Sequence, residues 1–467
     1  MSVFVPSRVR TLALPRVTFR QAALAVAGGA VALRVLALTA YSPAFLGYPD
    51  TSFYLAAAEH GEAEDPFRPG GYAAFLRAVH GLGISGTVLV QHLMGLATAT
   101  LFFLTLRRLG ASRALSLVPA AAVALCGSQV MIEHALLSEG LFTFLLAASV
   151  YAAVRSLDEG IGWVLASALL IGAAAPVRIV ALGVMPVLAL WLLAFSPRRR
   201  LATVAAFAVT AAAIPVVWSA VNDYTRTGPY NLYGRVGPFA DCSKFDPPSG
   251  TAMLCPKSPV EKRRSTYAYI FTGGSPAVAY FGHPQGYPEP TRDGVDRIQR
   301  FSRAAIAGQP LDYARTVAKD LVRYAAPGWW APPPGDATQM PEELSQYYTT
   351  PGWTGSGLNK AKAYYGDVQL RSNDTLLEAL RVYERVTRFT GVVFLLLLVP
   401  AVAAPFLLRG RARAGALLLL GTGAMLLLIP AATIFYDYRF AIPALGAFAA
   451  AAALGAPALV RRIRPAR

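Results

Sequence analysis

The sequence predicts an α-helical membrane protein with about ten transmembrane helices and one large extracytoplasmic segment of α-rich or irregular structure. Three observations support this fold class. Of the 467 residues, 55% are hydrophobic and 15% are charged, whereas a soluble domain usually carries about 25% charge. Mean hydropathy is +0.44. Ten apolar runs approach the roughly 20 residues that a helix needs to cross a bilayer.

The predicted spans cover residues 21–41, 86–106, 114–131, 138–154, 160–175, 179–195, 201–221, 388–408, 414–432 and 439–459. They divide the chain into three parts. An N-terminal membrane module (1–221) holds seven spans and a first outer loop, 42–85, that carries the candidate site. An extracytoplasmic cap segment (222–387) follows, and a C-terminal membrane module (388–467) holds three more spans.

The net charge of +17 matches the distribution of arginine between the two sides of the membrane. With the N-terminus in the cytoplasm, the short loops on that side contain 18 arginines and only two acidic residues, Asp158 and Glu159. Cytoplasmic loops of membrane proteins carry this excess, so no nucleic-acid partner is expected. We therefore predict a multi-pass plasma-membrane protein with both termini in the cytoplasm. The 37 arginines against 6 lysines favour a bacterial source.

The three cysteines fall in two environments. Cys126 lies inside the third predicted span, where a cysteine is typically a small buried apolar residue. Cys242 and Cys255 lie in the extracytoplasmic segment, and disulfides persist in oxidising compartments. We expect a Cys242–Cys255 disulfide, with two free thiols as the alternative.

Four motifs fall at the predicted outer ends of the spans. They are Asp50-Thr-Ser-Phe-Tyr-Leu with Arg68-Pro-Gly-Gly-Tyr, Leu136-Leu-Ser-Glu-Gly-Leu-Phe, Pro176-Val-Arg, and Tyr438-Arg-Phe-Ala-Ile-Pro-Ala-Leu. In this order the chain resembles the GT-C glycosyltransferases, in particular the branch of protein O-mannosyltransferases and bacterial enzymes that use polyprenyl-phosphate sugars. The resemblance covers most of the membrane portion and little of 222–387. Thr51 stands where many relatives carry a second acidic residue.

The resemblance implies an inverting transfer of a sugar from a polyprenyl-phosphate donor to a hydroxyl of a lipid, glycan or protein on the outer face. Because the leaving phosphate is already a stable anion, this reaction needs no general acid. One carboxylate suffices to take the proton from the acceptor hydroxyl. Asp50 is the candidate base, as the loop aspartate is in relatives, and a helix N-cap is the alternative. No cofactor is expected.

Two arginines are candidate ligands of the donor phosphate, because cationic, bidentate donors bind phosphate well. Arg178 and Arg439 both fall at predicted outer boundaries, where the inside rule does not favour positive charge. The alternatives are snorkelling to lipid headgroups for Arg178 and a salt bridge with Asp437 or another carboxylate for Arg439. Arg68 is a further candidate for phosphate or acceptor, or a surface charge beside Asp65.

Supporting roles are predicted for four residues near these motifs. Glu139 is expected to bind sugar hydroxyls or to hold an arginine such as Arg178, and Tyr54 lies on the loop helix beside Asp50. Glu133 and His134 end the third predicted span, where ionisable groups are costly unless paired or functional. A divalent metal held by these two residues and Asp50 is the weaker alternative.

The main alternative function is a membrane transporter, or a flippase for lipid-linked sugars, without transferase chemistry. Such a protein would need polar residues near the middle of the membrane, and the third to tenth predicted spans hold few. A non-catalytic assembly protein would be indifferent to Asp50. An enzyme of the O-antigen-ligase type would differ in using a diphosphate-linked donor.

Overall fold

The computed structural model describes residues 18–60, 68–197, 199–222, 228–284, 290–326, 351–389 and 391–463. The described chain is mostly helical. Its one two-stranded sheet pairs Tyr41–Ser42 (β1) with Arg371–Ser372 (β2) in antiparallel fashion. Some of the residues used in the sequence analysis lie outside the described residues. They are Asp65 and six of the 18 arginines assigned to the cytoplasmic side, at positions 8, 10, 16, 198, 464 and 467.

The N-terminal helices run through the first outer loop and the first seven predicted spans. They are α1 (Phe19–Ala40), α2 (Pro49–His60), α3 (Gly71–Val79), α4 (Gly83–Arg108), α5 (Arg113–Leu125), α6 (Gly127–His134), α7 (Ser138–Glu159), α8 (Ile161–Ala174), α9 (Ala181–Phe195) and α10 (Arg200–Asn222). The short helices α2 and α3 lie in the first outer loop, where the sequence predicts two short helices at 51–60 and 71–83.

The remaining helices belong to the hydrophilic segment and to the C-terminal spans. The first group is α11 (Gly228–Val236), α12 (Thr266–Phe271), α13 (Pro276–Phe281), α14 (Arg292–Gly308), α15 (Pro310–Ala325), α16 (Pro351–Tyr365) and α17 (Asp374–Thr387). The second group is α18 (Gly391–Leu407), α19 (Gly410–Thr433) and α20 (Leu445–Ile463), with a 3₁₀ helix at Tyr438–Ala444 leading into α20.

Helices occur at all ten predicted spans, but six described helices are long and apolar enough to cross a membrane, or up to eight if two bent pairs each count as one span. The third predicted span is broken near Cys126, where α5 and α6 meet at 50°. Helices α8 and α9 have 14 and 15 residues. At 1.5 Å per residue they reach about 21–23 Å, less than a hydrocarbon core of about 30 Å. Hydrophobicity alone does not reveal the break, whereas the predicted spans 160–175 and 179–195 are already short.

Charged residues from three predicted cytoplasmic loops meet at one end of the helix bundle. Arg411, at the start of α19, makes two hydrogen bonds of 2.8 and 2.6 Å to Asp158 at the end of α7. Arg108, at the end of α4, lies 2.8 Å from Glu159. The loops that the positive-inside pattern assigns to one side are therefore neighbours in space.

Residues within 228–284 and 290–326 build a second, smaller core over the end of α19. Cys242 and Cys255 form a disulfide, which confirms that prediction. The buried pair Arg235–Asp320 (2.6 Å) joins α11 to α15, and Asp320 also accepts the backbone N–H of Tyr436. These contacts fix the loop between α19 and the final 3₁₀ helix.

Residues 351–389 pack instead on the first membrane helix and the first outer loop. The hydroxyls of Ser356 in α16 and Ser52 in α2 are 3.1 Å apart. Gly357 lies against the backbone of Leu46, too close for any side chain. The backbone N–H of Asn373 donates to Ala40 at the end of α1. Residues 351–389 thus hold the first outer loop against the end of α1.

Candidate active site

Asp50 lies in the first turn of α2 and is held by two arginines. The helix begins at Pro49, and proline suits the first helical position because its φ is fixed and it needs no N–H partner. One carboxylate oxygen, Oδ1, accepts from Arg68 Nε (3.0 Å) and Nη2 (2.5 Å). The other, Oδ2, accepts from Arg439 Nη1 (2.6 Å). Asp50 is therefore an ion-pair residue inside the helix, not its N-cap.

A close backbone approach brings the arginine motif of the first loop to the turn between α8 and α9. The N–H of Gly71 donates to the carbonyl of Pro176 (2.9 Å), and a Cβ at Gly71 would lie 2.5 Å from that carbonyl carbon. Arg178, two residues after Pro176, is thereby placed beside the same loop as Arg68. This contact explains why both motifs contain their small or turn-forming residues.

Glu139 joins the remaining charges. It lies in the first turn of α7, where a carboxylate is favoured by the helix dipole. Its Oε1 accepts from Arg178 Nη1 at 2.6 Å and lies 3.0 Å from Arg439 Nε. Arg439 thus bridges Asp50 and Glu139, and Glu139 holds Arg178, as one of the two sequence interpretations suggested.

Tyr54 and Ser138 connect the loop helix to α7. The Tyr54 hydroxyl donates to Ser138 Oγ (2.9 Å), which also accepts from Arg178 Nη1 (3.1 Å). In the described part of the chain, the side-chain hydrogen bonds of Arg178 all come from Nη1. Its Nε and Nη2 therefore remain available for a ligand.

These groups line one wall of a cavity of ≈ 330 Å³. An apolar part of the lining comes from the turn between α8 and α9 and from the end of α19. Its residues are Val177, Ile179, Val180, Leu426, Ile429 and Pro430. Ile179 is 51% exposed, so the apolar side of the cavity reaches the surface of the protein. Asn231, Tyr267 and Phe271 of the cap segment complete the lining.

The formal charges of the site balance one another. Among the described residues that line the cavity, three arginines (68, 178 and 439) accompany two aspartates (50 and 437), with Glu139 behind them. Burial raises the pKa of the Asp50 carboxyl, but the guanidiniums of Arg68 and Arg439 outweigh it and hold this pKa below its usual range. Asp50 is therefore ionised at neutral pH.

Glu133 and His134 lie apart from this cavity, in a buried cluster within the helix bundle. Glu133 lies 2.9 Å from Arg34 of α1 and 3.1 Å from His92 of α4. His134 contacts the second ring nitrogen of His92 at 3.2 Å. Neither residue lines the cavity with Asp50. Among the described residues, no group of three His, Cys, Asp or Glu side chains could hold a metal ion.

Two cavity residues escaped the sequence interpretation as ligand contacts. Asn231 lies on α11, in a segment without a recognisable motif, and Asp437 was considered only as a partner for Arg439. Asp437 Oδ1 accepts the backbone N–H of Arg439 (2.9 Å) and so caps the 3₁₀ helix. Burial raises the pKa of the Asp437 carboxyl above its usual value, although the guanidinium of Arg439 opposes this shift. The Tyr436-Asp437-Tyr438 run directly before Arg439 was the available signal.

No family model and no curated protein matches the chain. Similar solved structures include the Saccharomyces cerevisiae protein O-mannosyltransferase Pmt1–Pmt2 complex bound to the sugar donor (19% identity, 46% of this chain, 34% of that chain, TM-score 0.35). The Archaeoglobus fulgidus oligosaccharyltransferase tethered to an acceptor peptide aligns over 95% of this chain and 51% of that one (12% identity, TM-score 0.44). ArnT from Cupriavidus metallidurans, bound to undecaprenyl phosphate, aligns over 94% and 78% (14% identity, TM-score 0.31).

The chain spans about a third and about half of the length of the first two of these proteins. The structural neighbours are GT-C glycosyltransferases, the group that the sequence motifs resemble. With TM-scores below 0.5 and identities below 20%, the likeness carries no argument about chemistry. Any conclusion about function has to rest on the site itself.

Proposed function

We propose that this protein is an integral-membrane inverting glycosyltransferase that moves a sugar from a polyprenyl-phosphate donor to a hydroxyl acceptor. One observation carries the proposal: a single cavity combines an ionised carboxylate, three arginines and an apolar wall that reaches the surface of the protein beside the apolar helices. A polyprenyl-phosphate sugar has the matching parts, namely an apolar chain, an anionic phosphate and a polar sugar.

The phosphate is bound by Arg178 and Arg439. Arg178 offers Nε and Nη2 as a fork, because its described hydrogen bonds to Ser138 and Glu139 use only Nη1. A guanidinium fork binds phosphate oxygens with two parallel hydrogen bonds. The same cations stabilise the charge on the phosphate as it leaves. The polyprenyl chain passes beside Ile179 and Ile429 into the bilayer.

Asp50 acts as the base. The acceptor hydroxyl attacks the anomeric carbon from the face opposite the phosphate and loses its proton to the Asp50 carboxylate. The bond between the anomeric carbon and the phosphate oxygen breaks, and the phosphate leaves with the electron pair. In the resting site Arg68 and Arg439 keep Asp50 a weak base. A donor phosphate that draws Arg439 towards itself makes Asp50 more basic when the donor is present.

The proposal includes a ten-span topology with an extracytoplasmic site in a bacterial plasma membrane and both termini in the cytoplasm. Helices α8 and α9 are then short spans whose connecting turn brings Arg178 down to the cavity. The meeting of Arg108, Asp158, Glu159 and Arg411 at one end supports a common side for their loops. The modules 1–221, 222–387 and 388–467 keep their proposed roles as membrane, cap and membrane parts. The acceptor is a lipid, glycan or protein hydroxyl.

The experiment is a gene deletion followed by mass spectrometry of extracted polyprenyl-linked sugars. The deletion strain is complemented with wild type, Asp50→Asn or the matched control Asp293→Asn, whose side chain is 66% exposed. We expect a polyprenyl-phosphate sugar to accumulate, and wild type and the control to relieve it while Asp50→Asn does not. Relief by Asp50→Asn as complete as by wild type would favour the flippase alternative.

A further inference from the structure

Two hydrogen-bond acceptors in the cavity wall have no donor among the described residues. One is Asp437 Oδ2 and the other is Asn231 Oδ1, and both atoms are buried. The Asp437 side chain is 3% exposed, and the nearest cation to its Oδ2 is Arg439 Nε at 4.0 Å, beyond hydrogen-bond distance. Buried acceptors in proteins almost always have a donor, so these two atoms point to a ligand that supplies one.

The backbone segments that carry the two side chains are held in place by contacts that do not involve the free atoms. Asp437 uses Oδ1 for the N–H of Arg439, and its carbonyl accepts from the hydroxyl of Tyr324. Asn231 lies on α11 between the buried residues Tyr230 and Tyr233, whose hydroxyls bond to backbone carbonyls of the cap segment. The two acceptors therefore come from the cap segment and from the loop that the cap segment fixes.

The polar lining of the cavity has two chemically different parts. Arg178 and Arg439 offer donors, which suit phosphate oxygens. Asn231 and Asp437 offer acceptors, which suit hydroxyl groups. At neutral pH a phosphate that is esterified to both the lipid and the sugar carries no hydroxyl group. The two acceptors therefore match the hydroxyl groups of the sugar.

We propose that Asn231 and Asp437 bind hydroxyl groups of the transferred sugar and determine which sugar the protein accepts. This inference rests on the proposed function, because it assumes a sugar-bearing lipid phosphate in the cavity. It assigns the cap segment a direct role in the site: α11 contributes one ligand, and the docking of α15 on the loop before α20 positions the other.

The test uses the full-length protein in lipid nanodiscs and measures binding of two kinds of probe. The first is undecaprenyl phosphate. The second is a panel of undecaprenyl-phosphate mannose, glucose, galactose and arabinose. We expect wild type to bind at least one sugar-bearing lipid more tightly than undecaprenyl phosphate. This ratio of affinities is the readout.

Asp437→Asn is the sharpest variant, because asparagine can still cap the 3₁₀ helix while its amide turns an acceptor into a donor. We expect it to reduce the ratio about tenfold or more, since a hydrogen bond to a charged group contributes about that factor. Asn231→Leu should reduce the ratio less, because its acceptor is neutral. Asp293→Asn is the control, and undecaprenyl phosphate should bind all four proteins alike.

The outcomes separate the two proposals. If wild type does not bind undecaprenyl phosphate, the proposed function fails. If it binds undecaprenyl phosphate but no sugar-bearing lipid more tightly, or if both variants keep the wild-type ratio, this inference is overturned and the proposed function stands. Loss of undecaprenyl phosphate binding in a variant would show that the residue supports the fold or the phosphate site, which also contradicts a role confined to the sugar.

Discussion

Two clusters of charged residues lie within the same set of helices and behave differently. The cavity cluster consists of Asp50, Arg68, Glu139, Arg178 and Arg439 and borders an open space. The bundle cluster consists of Arg34, His92, Glu133 and His134 and is sealed among α1, α4 and α6, with side chains at most 4% exposed.

The bundle cluster satisfies its carboxylate internally. Glu133 Oε1 accepts from Arg34 (3.0 Å) and Gln129 (3.1 Å), and Oε2 faces Arg34 and His92. His134 Nε2 lies 2.6 Å from the carbonyl of Tyr41 and so carries a proton. Its Nδ1 then accepts from His92 Nε2, and the other ring nitrogen of His92 lies 3.1 Å from Glu133 Oε2. The chain of hydrogen bonds leaves Glu133 no place for a ligand.

The cavity cluster is arranged the other way. Its carboxylates hold the arginines in position, but Arg178 keeps Nε and Nη2 for something else, and Arg178 is 16% exposed at its side chain. The same residue types therefore hold helices together where no cavity exists. Where a cavity exists, they leave one edge of an arginine side chain without a hydrogen-bond partner in the described residues.

Asp50→Asn should lower transfer about 10³–10⁴-fold, because a neutral amide cannot take the acceptor's proton. The thermal unfolding midpoint should change little, since Asn keeps an oxygen for one of the two arginines. The measurement is initial rate on the donor identified by the deletion strain, together with the unfolding midpoint in detergent. A rate within tenfold of wild type would exclude Asp50 as the base.

Glu133→Gln should have the opposite profile. Removing one charge of a buried pair costs about 3–5 kcal/mol of stability, because it leaves the other charge uncompensated. Arg34 would be that charge. We expect a clearly lower unfolding midpoint and a rate per folded molecule close to wild type. Glu378→Gln is the control, because the Glu378 side chain is 53% exposed. Loss of activity at unchanged stability in Glu133→Gln would instead mean that the bundle cluster takes part in the reaction.

Arg178→Lys should weaken donor binding about 10–100-fold while keeping the fold, because lysine has the charge but not the fork. The residual pairing with Glu139 preserves the turn between α8 and α9. Binding of undecaprenyl phosphate in nanodiscs measures this effect. Unchanged affinity would mean that Arg178 serves only to neutralise Glu139.

Gly95→Ala should destabilise the bundle cluster by about 1–3 kcal/mol, the usual cost of overpacking a core. A Cβ at Gly95 would fall on the Glu133 carboxylate, which the contacts with Arg34 and His92 hold in place. Gly28→Ala in α1 is the matched control, since a Cβ there meets nothing within 4 Å. Equal unfolding midpoints for the two variants would show that the bundle cluster has room to move.

Much of the cavity cluster was predictable because its residues violate a rule that a single sequence displays. Arg178 and Arg439 are cations at predicted outer span ends, and Asp50 is followed 18 residues later by the Arg68 motif. The positions of the membrane helices followed equally well from apolar runs, including the short spans at α8 and α9, whereas the break near Cys126 depends on backbone geometry that hydrophobicity does not encode.

The sequence could not predict the bundle cluster or the place of Asn231 and Asp437 in the cavity wall, for a physical reason. Glu133 and Arg34 are 99 residues apart, and Glu133 next to His134 at a span end looks the same whether it faces a cavity or another helix. Asn231 belongs to a segment without a hydrophobic period. It reaches the cavity only because the core around the Cys242–Cys255 disulfide docks on the end of α19.

The most direct test of the account is a structure of the protein with undecaprenyl phosphate bound. The account predicts that the phosphate lies within hydrogen-bond distance of Arg178 and Arg439, beside Asp50, with the prenyl chain leaving past Ile179 and Ile429. A phosphate bound elsewhere, for example in the apolar groove that Arg77 and Trp218 line between α3 and α10, with the Asp50 cavity empty, would contradict it.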